Sequence, residues 1–467
     1  MDVKDQRILV VGLGQSGRAA ARLLLDRGAK VVLNDAREEL EGLEALVDAG
    51  AELELGHHDE ALFTGVDRVV VSPGVPPLPA LEAAEGAGVP IASEVELASG
   101  FVDPGATLVA ITGTNGKSTV TSLLGAMAEH DPRPSFVGGN LGTPLVDVVG
   151  TPAAEAGGLV IVEVSSFQLE RVDRFRAHVA VLLNVTEDHL DRYDSFAAYA
   201  AAKGNLFRGQ RREDHAVVPA GDALCEGLAQ AGAATLHRFG GDTGEVGFSK
   251  ELVDAAGSYY TARTPRLNDR VSGLAIGLDE IHLRGGHNLA NAQAAMLAGR
   301  LAGMRPETIR AGLAAFRGLP HRMELVRERG GVRFFDDSKA TNVGAAVAGL
   351  EGFAHDAGKV VWIAGGKDKG GSYAPLEAPL RAVGRAAVTL GEAAERIEGA
   401  LEGALEGVCP IVRVGTMEEA VAKAAELAEP GDAVVLAPAC SSFDMFRSYA
   451  ERGDVFQAAV NALKEAG

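Results

Sequence analysis

The segment Gly113-Thr114-Asn115-Gly116-Lys117-Ser118 sets glycines, a lysine and a hydroxyl at a spacing that suits phosphate chemistry. It follows an apolar run, Thr107-Leu108-Val109-Ala110-Ile111, and precedes a helical pattern through Thr119, Val120, Leu123, Leu124 and Met127. Strand, glycine turn and helix together make a phosphate cradle. Backbone N–H groups and the helix N-terminus face the anion, the lysine reaches the β- and γ-phosphates, and the hydroxyl holds Mg²⁺. ATP with Mg²⁺ is therefore the expected ligand. The loop is a shortened G-x-x-G-K-S form, since Ile111 stands where the standard motif has its first glycine. The bland alternative is an ordinary glycine turn before a helix. Glu163 closes a second apolar run, Leu159-Val160-Ile161-Val162. A carboxylate ending a buried strand is costly unless partnered. A divalent cation beside the phosphate loop would partner it; a cap of the following turn is the alternative.

A second glycine pattern, Gly12-Leu13-Gly14-Gln15-Ser16-Gly17, fits G-x-G-x-x-G. It lies between the apolar run 8–11 and a helical stretch over 18–27 that Gly28 would cap. Asp35 follows the next apolar run, 31–33, where an acid would meet a ribose hydroxyl. Alone this suggests NAD. The same fold serves many phosphorylated nucleotides, and a chain that also carries an ATP loop points to another one, such as a UDP-sugar. A Rossmann-like domain without any dinucleotide is the bland reading.

The elements that must hold these loops alternate along most of the chain. Short apolar runs at 8–11, 31–33, 69–71, 108–111, 159–162, 179–183, 360–363 and 434–436 are separated by Ala- and Leu-rich helical stretches. Continuous runs suit strands buried on both faces, and the alternation implies parallel sheets with crossover helices. The fold class is α/β, and 467 residues predict two or three domains. The loop-like stretch 100–105 and the Gly/Pro punctuation at 316–320 divide the chain into blocks 1–103, 104–318 and 319–467. The first reads as Rossmann-like and the second as a mainly parallel P-loop ATPase-like domain. The third restarts with a strand near 332–335 and is again Rossmann-like. The stretch 242–279 is weakly periodic and reads as short strands or loops.

A formal net charge of −20 argues against nucleic acid or an anionic membrane as the main partner. A local basic pocket for a phosphorylated metabolite is compatible with it. Cys225, Cys409 and Cys440 are far apart without CxxC spacing, which fits a reducing compartment and argues against structural zinc. No apolar run approaches the roughly 18 residues of a membrane helix. The polar residues 1–7 lead directly into the first strand, without the apolar core of a signal peptide. A cytoplasmic monomer is expected.

With these motifs in place the chain resembles the Mur ligases, the ATP-dependent amino-acid ligases of peptidoglycan synthesis, and among them the D-glutamate-adding member. The resemblance spans essentially the whole chain. It rests on the two glycine loops and on Gly138-Gly139-Asn140, Glu163-Val164-Ser165-Ser166-Phe167-Gln168-Leu169 and Asn184-Val185-Thr186-Glu187-Asp188-His189-Leu190-Asp191-Arg192-Tyr193. It rests also on Gly286-His287-Asn288, Gly318-Leu319-Pro320-His321-Arg322, Asp337-Ser338-Lys339-Ala340-Thr341-Asn342 and Ser441-Ser442-Phe443-Asp444. The segment 337–342 is the most specific to the D-glutamate member.

The resemblance implies that the carboxylate of UDP-N-acetylmuramoyl-L-alanine takes the γ-phosphoryl group of ATP. The amine of D-glutamate then displaces phosphate from that acyl phosphate. Both steps concentrate negative charge, so cations and aimed donors should dominate catalysis. Lys117 would neutralise the phosphates, with Gly113, Thr114, Asn115, Gly116, Ser118 and Thr119 around them. Ser118 and Glu163 would hold the first Mg²⁺, and His189 a second, although His189 could simply cap a polar turn. Lys203 matches the lysine that the family carries as a carbamate (N6-carboxylysine), which would make it an anionic neighbour of the metal; a lone helical lysine otherwise reads as a solvated surface residue. Asn140, Asn291, Arg322 and Asp337 match positions around the nucleotide and reacting phosphate. Arg322 could alternatively form an interdomain ion pair, and His287 and Asn288 could merely cap a helix. Gly14, Gln15, Ser16, Asp35, Arg37 and Gly74, with Asn140, Ser165, Gln168 and His189, are expected to hold the UDP substrate. Lys339, Thr341, Lys369, Ser442 and Phe443 match the amino-acid pocket, with Lys367 the competitor of Lys369. Sites on three blocks imply a closing motion that shields the acyl phosphate from water.

Other readings predict different behaviour. An NAD-dependent oxidoreductase would leave Lys117, Ser118 and Glu163 without a role. A folylpolyglutamate synthase would lack the first block, another Mur enzyme would carry a different segment at 337–342, and intact Lys117, Ser118, Glu163 and His189 speak against a non-catalytic nucleotide-binding regulator.

Overall fold

The computed structural model describes residues 1–464 except 141, 242, 254–258, 284–285 and 355, and only the backbone is described at 248–253 and 259–265. Among the described residues three sheets follow one another along the chain. The first is wholly parallel, in the order Glu52–Leu55, Lys30–Asp35, Arg7–Val11, Arg68–Val71, Ile91–Ser93. Chain order reverses between Arg7–Val11 and Arg68–Val71, which opens a crevice at their C-terminal ends. The helix Gln15–Asp26 springs from that crevice. Leu9, Val11, Val32, Val69 and Val71 share one core with Phe63, Ala80, Leu81 and Ala84.

The second sheet is parallel through Ser135–Gly139, Leu159–Glu163, Thr107–Thr112, Val179–Leu182, His215–Pro219 and Thr235–Phe239. It continues into Val246–Val253, Tyr259–Asp269 and Ala275–Gly277, the last two pairings being antiparallel. The weakly periodic stretch 242–279 thus contains strands; residues 242 and 254–258 lie outside the described residues.

The third sheet runs Glu324–Arg329, Val332–Asp336, Ala433–Leu436, Val360–Gly365, Gly384–Leu390, Ile411–Arg413. Its first pair is an antiparallel hairpin and the rest is parallel. The run 360–364 shows why continuous apolar strands belong here. Val360, Trp362 and Ala364 enter the core on one face, while Val361 and Ile363 enter that on the other. No described helix is long and apolar enough to cross a membrane.

By compactness the chain forms two units. Residues 1–185, 197–281 and 291–316 make one, containing the first two sheets. Residues 186–196, 282–290 and 317–467 make the other. Two excursions from the middle of the chain, carrying Asp188-His189 and His287-Asn288, therefore group with the third sheet.

Candidate active site

The phosphate loop leaves the strand Thr107–Thr112 and enters the helix Lys117–Ala128. Gly113 and Gly116 have φ of 153° and 86°, the region that favours glycine. A Cβ on Gly116 would meet Asn291 Oδ1 at 2.3 Å. Asn184, two residues past the neighbouring strand Val179–Leu182, grips the turn. Its backbone oxygen accepts from Thr114 N–H (2.9 Å), its Oδ1 from Asn115 N–H (2.9 Å), and its Nδ2 donates to Asn115 O (3.1 Å). Lys117 Nζ donates to the carbonyls of Gly113 (2.8 Å) and Thr114 (2.9 Å). Lys203 Nζ donates to the same Gly113 carbonyl at 2.9 Å and lies 4.6 Å from the Tyr199 ring centre. Tyr199 OH is 3.1 Å from Thr114 Oγ1. Lys203 is 1% exposed, so the solvated-lysine reading does not hold.

Register places Ile111 beside Glu163, so the loop begins next to that carboxylate. Glu163 is buried. Its Oε1 accepts from Asn140 Nδ2 at 2.7 Å, its backbone oxygen accepts from Asn140 N–H, and its Oε2 has no hydrogen-bond partner among the described residues. Ser118 and Thr119 are buried at the helix start.

A cleft of about 630 Å³ lies over the first sheet and is completed by the second. Gly14, Gln15, Ser16, Asp35, Arg37 and Gly74 line it, as do Asn140 and Gln168. Ser165 is not among its lining residues; it forms a capping box with Gln168 at the helix Ser166–Leu169. His189 belongs to the other compact unit. Ser72 Oγ donates to Gly12 O at 2.6 Å, and a Cβ on Gly17 would meet Gly12 O at 2.0 Å, so the turn packs tightly. Asp35 and Arg37, expected at ribose and phosphate, are paired with each other. Arg37 donates from Nε and Nη2, and Asp35 Oδ2 also accepts from Leu13 N–H at 2.8 Å. The Arg37 hydrogen bonds hold the Asp35 carboxyl well below the usual range, against burial.

In the second unit, Asp337 is buried and pushed up to about 7 by desolvation, which the nearby Arg322 charge opposes. Lys339 Nζ sits 3.7 Å from the Tyr449 ring centre, and Thr341 N–H donates to Lys339 O. Asp188 Oδ1 receives Lys369 Nζ at 3.1 Å and Asp188 Oδ2 receives Asn342 Nδ2 at 3.0 Å. Burial would raise the Asp188 carboxyl, but Lys369, His189 and Asn342 together bring it below the usual range. His189 has φ 56° and donates its backbone N–H to Asp188 Oδ1. Asp188, Asn342 and Lys369 line a small hollow with Tyr373 and Ala439. Ser442 is buried and Phe443 is 69% exposed. Burial lowers His287, whose ring is near Arg322.

Three family profiles match the chain in series: MurD-like N-terminal domain at residues 6–93, Mur ligase middle domain at 111–299, and Mur ligase glutamate ligase domain at 321–440. A protein of Anaeromyxobacter dehalogenans named UDP-N-acetylmuramoylalanine–D-glutamate ligase is 47% identical over 98% of this chain and 97% of its own length. The chain belongs to the Mur ligase family. A Geotalea daltonii protein of the same name is 44% identical over 99% of both chains. The MurF ligase of Thermotoga maritima, solved with ADP, has a similar fold, with TM-score 0.61 at 17% identity over 98% and 96% of the two chains.

Several residues that organise this Mur ligase give no signal in the sequence. Arg452, 2% exposed, donates to Ser338 Oγ (3.0 Å), Ser338 O (2.8 Å), Cys440 O (3.1 Å) and Ser441 O (3.2 Å), joining the segments that carry Lys339 and Ser442. Glu94 Oε1 accepts from Val146 N–H at 2.6 Å. Glu96 accepts from the N–H groups of Asp173, Arg174 and Phe175. Both thus tie the helix Glu94–Ser99, which follows the first sheet's last strand, to backbone of the second sheet's block. Each is one charged residue with at least one partner more than 50 residues away in sequence.

The donor set around the phosphate loop suits a hard cation. A buried carboxylate oxygen without a hydrogen-bond partner is rare and costly, and Glu163 Oε2 is one. Together with a buried hydroxyl at the helix start, it matches the oxygen ligands that Mg²⁺ takes alongside phosphate.

Proposed function

We propose that the chain is an ATP-dependent ligase that joins D-glutamate to UDP-N-acetylmuramoyl-L-alanine in cytoplasmic peptidoglycan precursor synthesis, working as a monomer. The observation that carries this reading is full-length identity of 44–47% to the two ligases named for that reaction. The first-sheet cleft would take the UDP end, with the diphosphate over the loop 12–17 at the N-terminus of the helix Gln15–Asp26. The loop 113–118 would take ATP, with Asn291 over Gly116 and with Arg322 and Asp337 at the nucleotide and reacting phosphate.

In the reaction, a carboxylate oxygen of the alanyl substrate attacks the γ-phosphorus and ADP leaves. The amine of D-glutamate then attacks the acyl carbon, and the tetrahedral adduct releases phosphate and a proton. Lys117, which rests on the carbonyls of Gly113 and Thr114, would neutralise the β- and γ-phosphates. Ser118 and Glu163 would hold Mg²⁺, which supplies charge neutralisation when bound. Asn140 steadies Glu163 through its side-chain hydrogen bond. Lys203 as its N6-carboxy derivative, with His189, would serve a second Mg²⁺. The buried, loop-facing position of Lys203 supports a role at the phosphate site. For D-glutamate, Lys339, Thr341, Lys369, Ser442 and Phe443 would form the pocket, and Arg452 joins the segments that carry Lys339 and Ser442. The hollow lined by Lys369 favours it over Lys367 as the carboxylate partner. The test is phosphate release from ATP with UDP-N-acetylmuramoyl-L-alanine, comparing D-glutamate with L-glutamate, L-alanine and diamino acids. Release with D-glutamate alone is expected; equal release with another amino acid would overturn the assignment.

A further inference from the structure

We propose that Tyr373 is a positioning residue for the choice of amino acid: acting through the Asp368 carboxylate, it fixes the loop that carries Lys369. This rests on the reading that Lys369 takes a carboxylate of the incoming D-glutamate. Lys369 follows the strand Val360–Gly365 in the loop Gly365-Gly366-Lys367-Asp368-Lys369-Gly370-Gly371, which has a glycine pair at each end. Gly366 and Gly370 have φ of 130° and 80°, conformations open to glycine. A lysine between such hinges keeps one position only if other groups restrain the loop.

The near end is restrained by backbone. Lys367 N–H donates to Ser441 O (2.8 Å) and Ser441 N–H donates to Lys367 O (3.1 Å). A Cβ on Gly366 would meet Ser441 O at 2.2 Å, so the two segments touch. At the far end, a Cβ on Gly370 or Gly371 would meet open space. A side chain supplies the restraint there. Asp368 Oδ2 accepts from Gly370 N–H (3.1 Å) and from Arg396 of the helix Ala394–Leu405. Asp368 Oδ1 accepts from Tyr373 OH at 2.7 Å.

Tyr373 is the firmest of these partners. Its ring is 4% exposed and shares a core with Trp362, Leu376 and Ile397. The Arg396 side chain is 54% exposed, and exposed ion pairs contribute little. Burial pushes the Tyr373 phenol above its ordinary value, as does its contact with Cys440, so the hydroxyl keeps its proton at neutral pH. That one proton goes to Asp368, and the oxygen is left to accept from the Cys440 thiol 3.1 Å away. Burial pushes that thiol up to about 11, so it too stays protonated. The donors run one way, from Cys440 to Tyr373 to Asp368, and end on the residue before Lys369. Tyr373 and Asp368 line the same hollow as Lys369. Lys369 would meet a carboxylate that does not itself react. Its displacement therefore weakens the binding of one substrate and spares the chemical step.

The test is steady-state kinetics of the full-length protein with each substrate varied in turn, and thermal melting of every variant. Tyr373→Phe keeps the ring in the core and should melt within a few degrees of the wild type. Its KM for D-glutamate should rise about tenfold. Its kcat, and its KM for ATP and for UDP-N-acetylmuramoyl-L-alanine, should stay within about twofold. Asp368→Ala should raise the D-glutamate KM at least as much, and adding Tyr373→Phe to it should change nothing further. An unchanged D-glutamate KM in Tyr373→Phe, an equal rise in all three constants, or additive effects in the double variant would each overturn the proposal. Lys369→Met separates this from the reading beneath it. It should raise the D-glutamate KM about a hundredfold; an unchanged value would remove Lys369 from the amino-acid site, and the proposal with it.

Discussion

The two glycine loops begin alike and end differently. Each leaves a central parallel strand and opens a 12-residue helix. The loop at 12–17 is braced from outside, by Ser72 on Gly12 O, by Asp35 on Leu13 N–H and by Arg18 on Leu13 O, and it faces an open cleft. The loop at 113–118 is closed on itself: Lys117 and Lys203 both donate to Gly113 O, Asn184 holds two of its N–H groups, and Asn291 stands over Gly116. The first is a preformed cradle. The second carries its cations folded inward, so a phosphate must compete with the loop's own carbonyls for them. Under the proposed function, binding and catalysis would thus be divided between a turn that is ready for its anion and one that must first release its own contacts.

The largest effect should come from that division. Lys117→Met should lower kcat for phosphate release by about a thousandfold, while UMP affinity stays within about twofold; parallel loss of UMP binding would mean the loops are not independent. Lys203→Ala should lose most activity, with partial rescue by added short carboxylates, and full activity in that variant would end the carbamate reading. Gly17→Ala pushes a methyl into Gly12 O and should raise the KM for the UDP substrate about tenfold, while leaving ADP affinity unchanged. Gly116→Ala, at φ 86° and against Asn291, should do the reverse. If both variants raise both constants, the comparison fails.

The smallest effect concerns the brace between the first two sheets. Burial raises the Glu94 carboxyl from 4.5 to about 7, against its backbone hydrogen bond from Val146. The folded state therefore favours the protonated form. Its contribution is fully present below about pH 4.5 and is lost as pH rises through 7. Glu94→Gln, neutral at every pH, should melt a few degrees above the wild type at pH 8 and no higher at pH 4.5. An equal difference at both pH values would assign the effect to packing instead.

The loops and their strands were legible because glycine turns, apolar runs and Lys-Ser spacing obey local rules. The α/β reading rests on continuous apolar runs such as 360–363, which the structure buries on both faces. The antiparallel hairpin of Glu324–Arg329 was not legible, because its half-exposed, charged sequence resembles a surface loop. Nor could the sequence show Asn184 gripping a turn 69 residues away, or Arg452 bonding to Ser338 across 114. Those roles come from tertiary proximity, and the residue types alone are compatible with a solvent-facing position. Asp35 shows the opposite difficulty: the motif marked the residue, but its partner proved to be Arg37 next door.

The Asp188–Lys369 pair has a consequence for amino-acid choice under the proposed function. A carboxylate arriving at Lys369 does not fill a vacancy; it replaces another carboxylate that is already held by Lys369 and Asn342. Affinity there measures the difference between a guest and a resident of the same chemistry. An amino acid with no second carboxylate offers nothing for the exchange and leaves the resident in place. Selection at that point works as a threshold that a guest must exceed, and the size of the hollow matters less than the ion pair inside it.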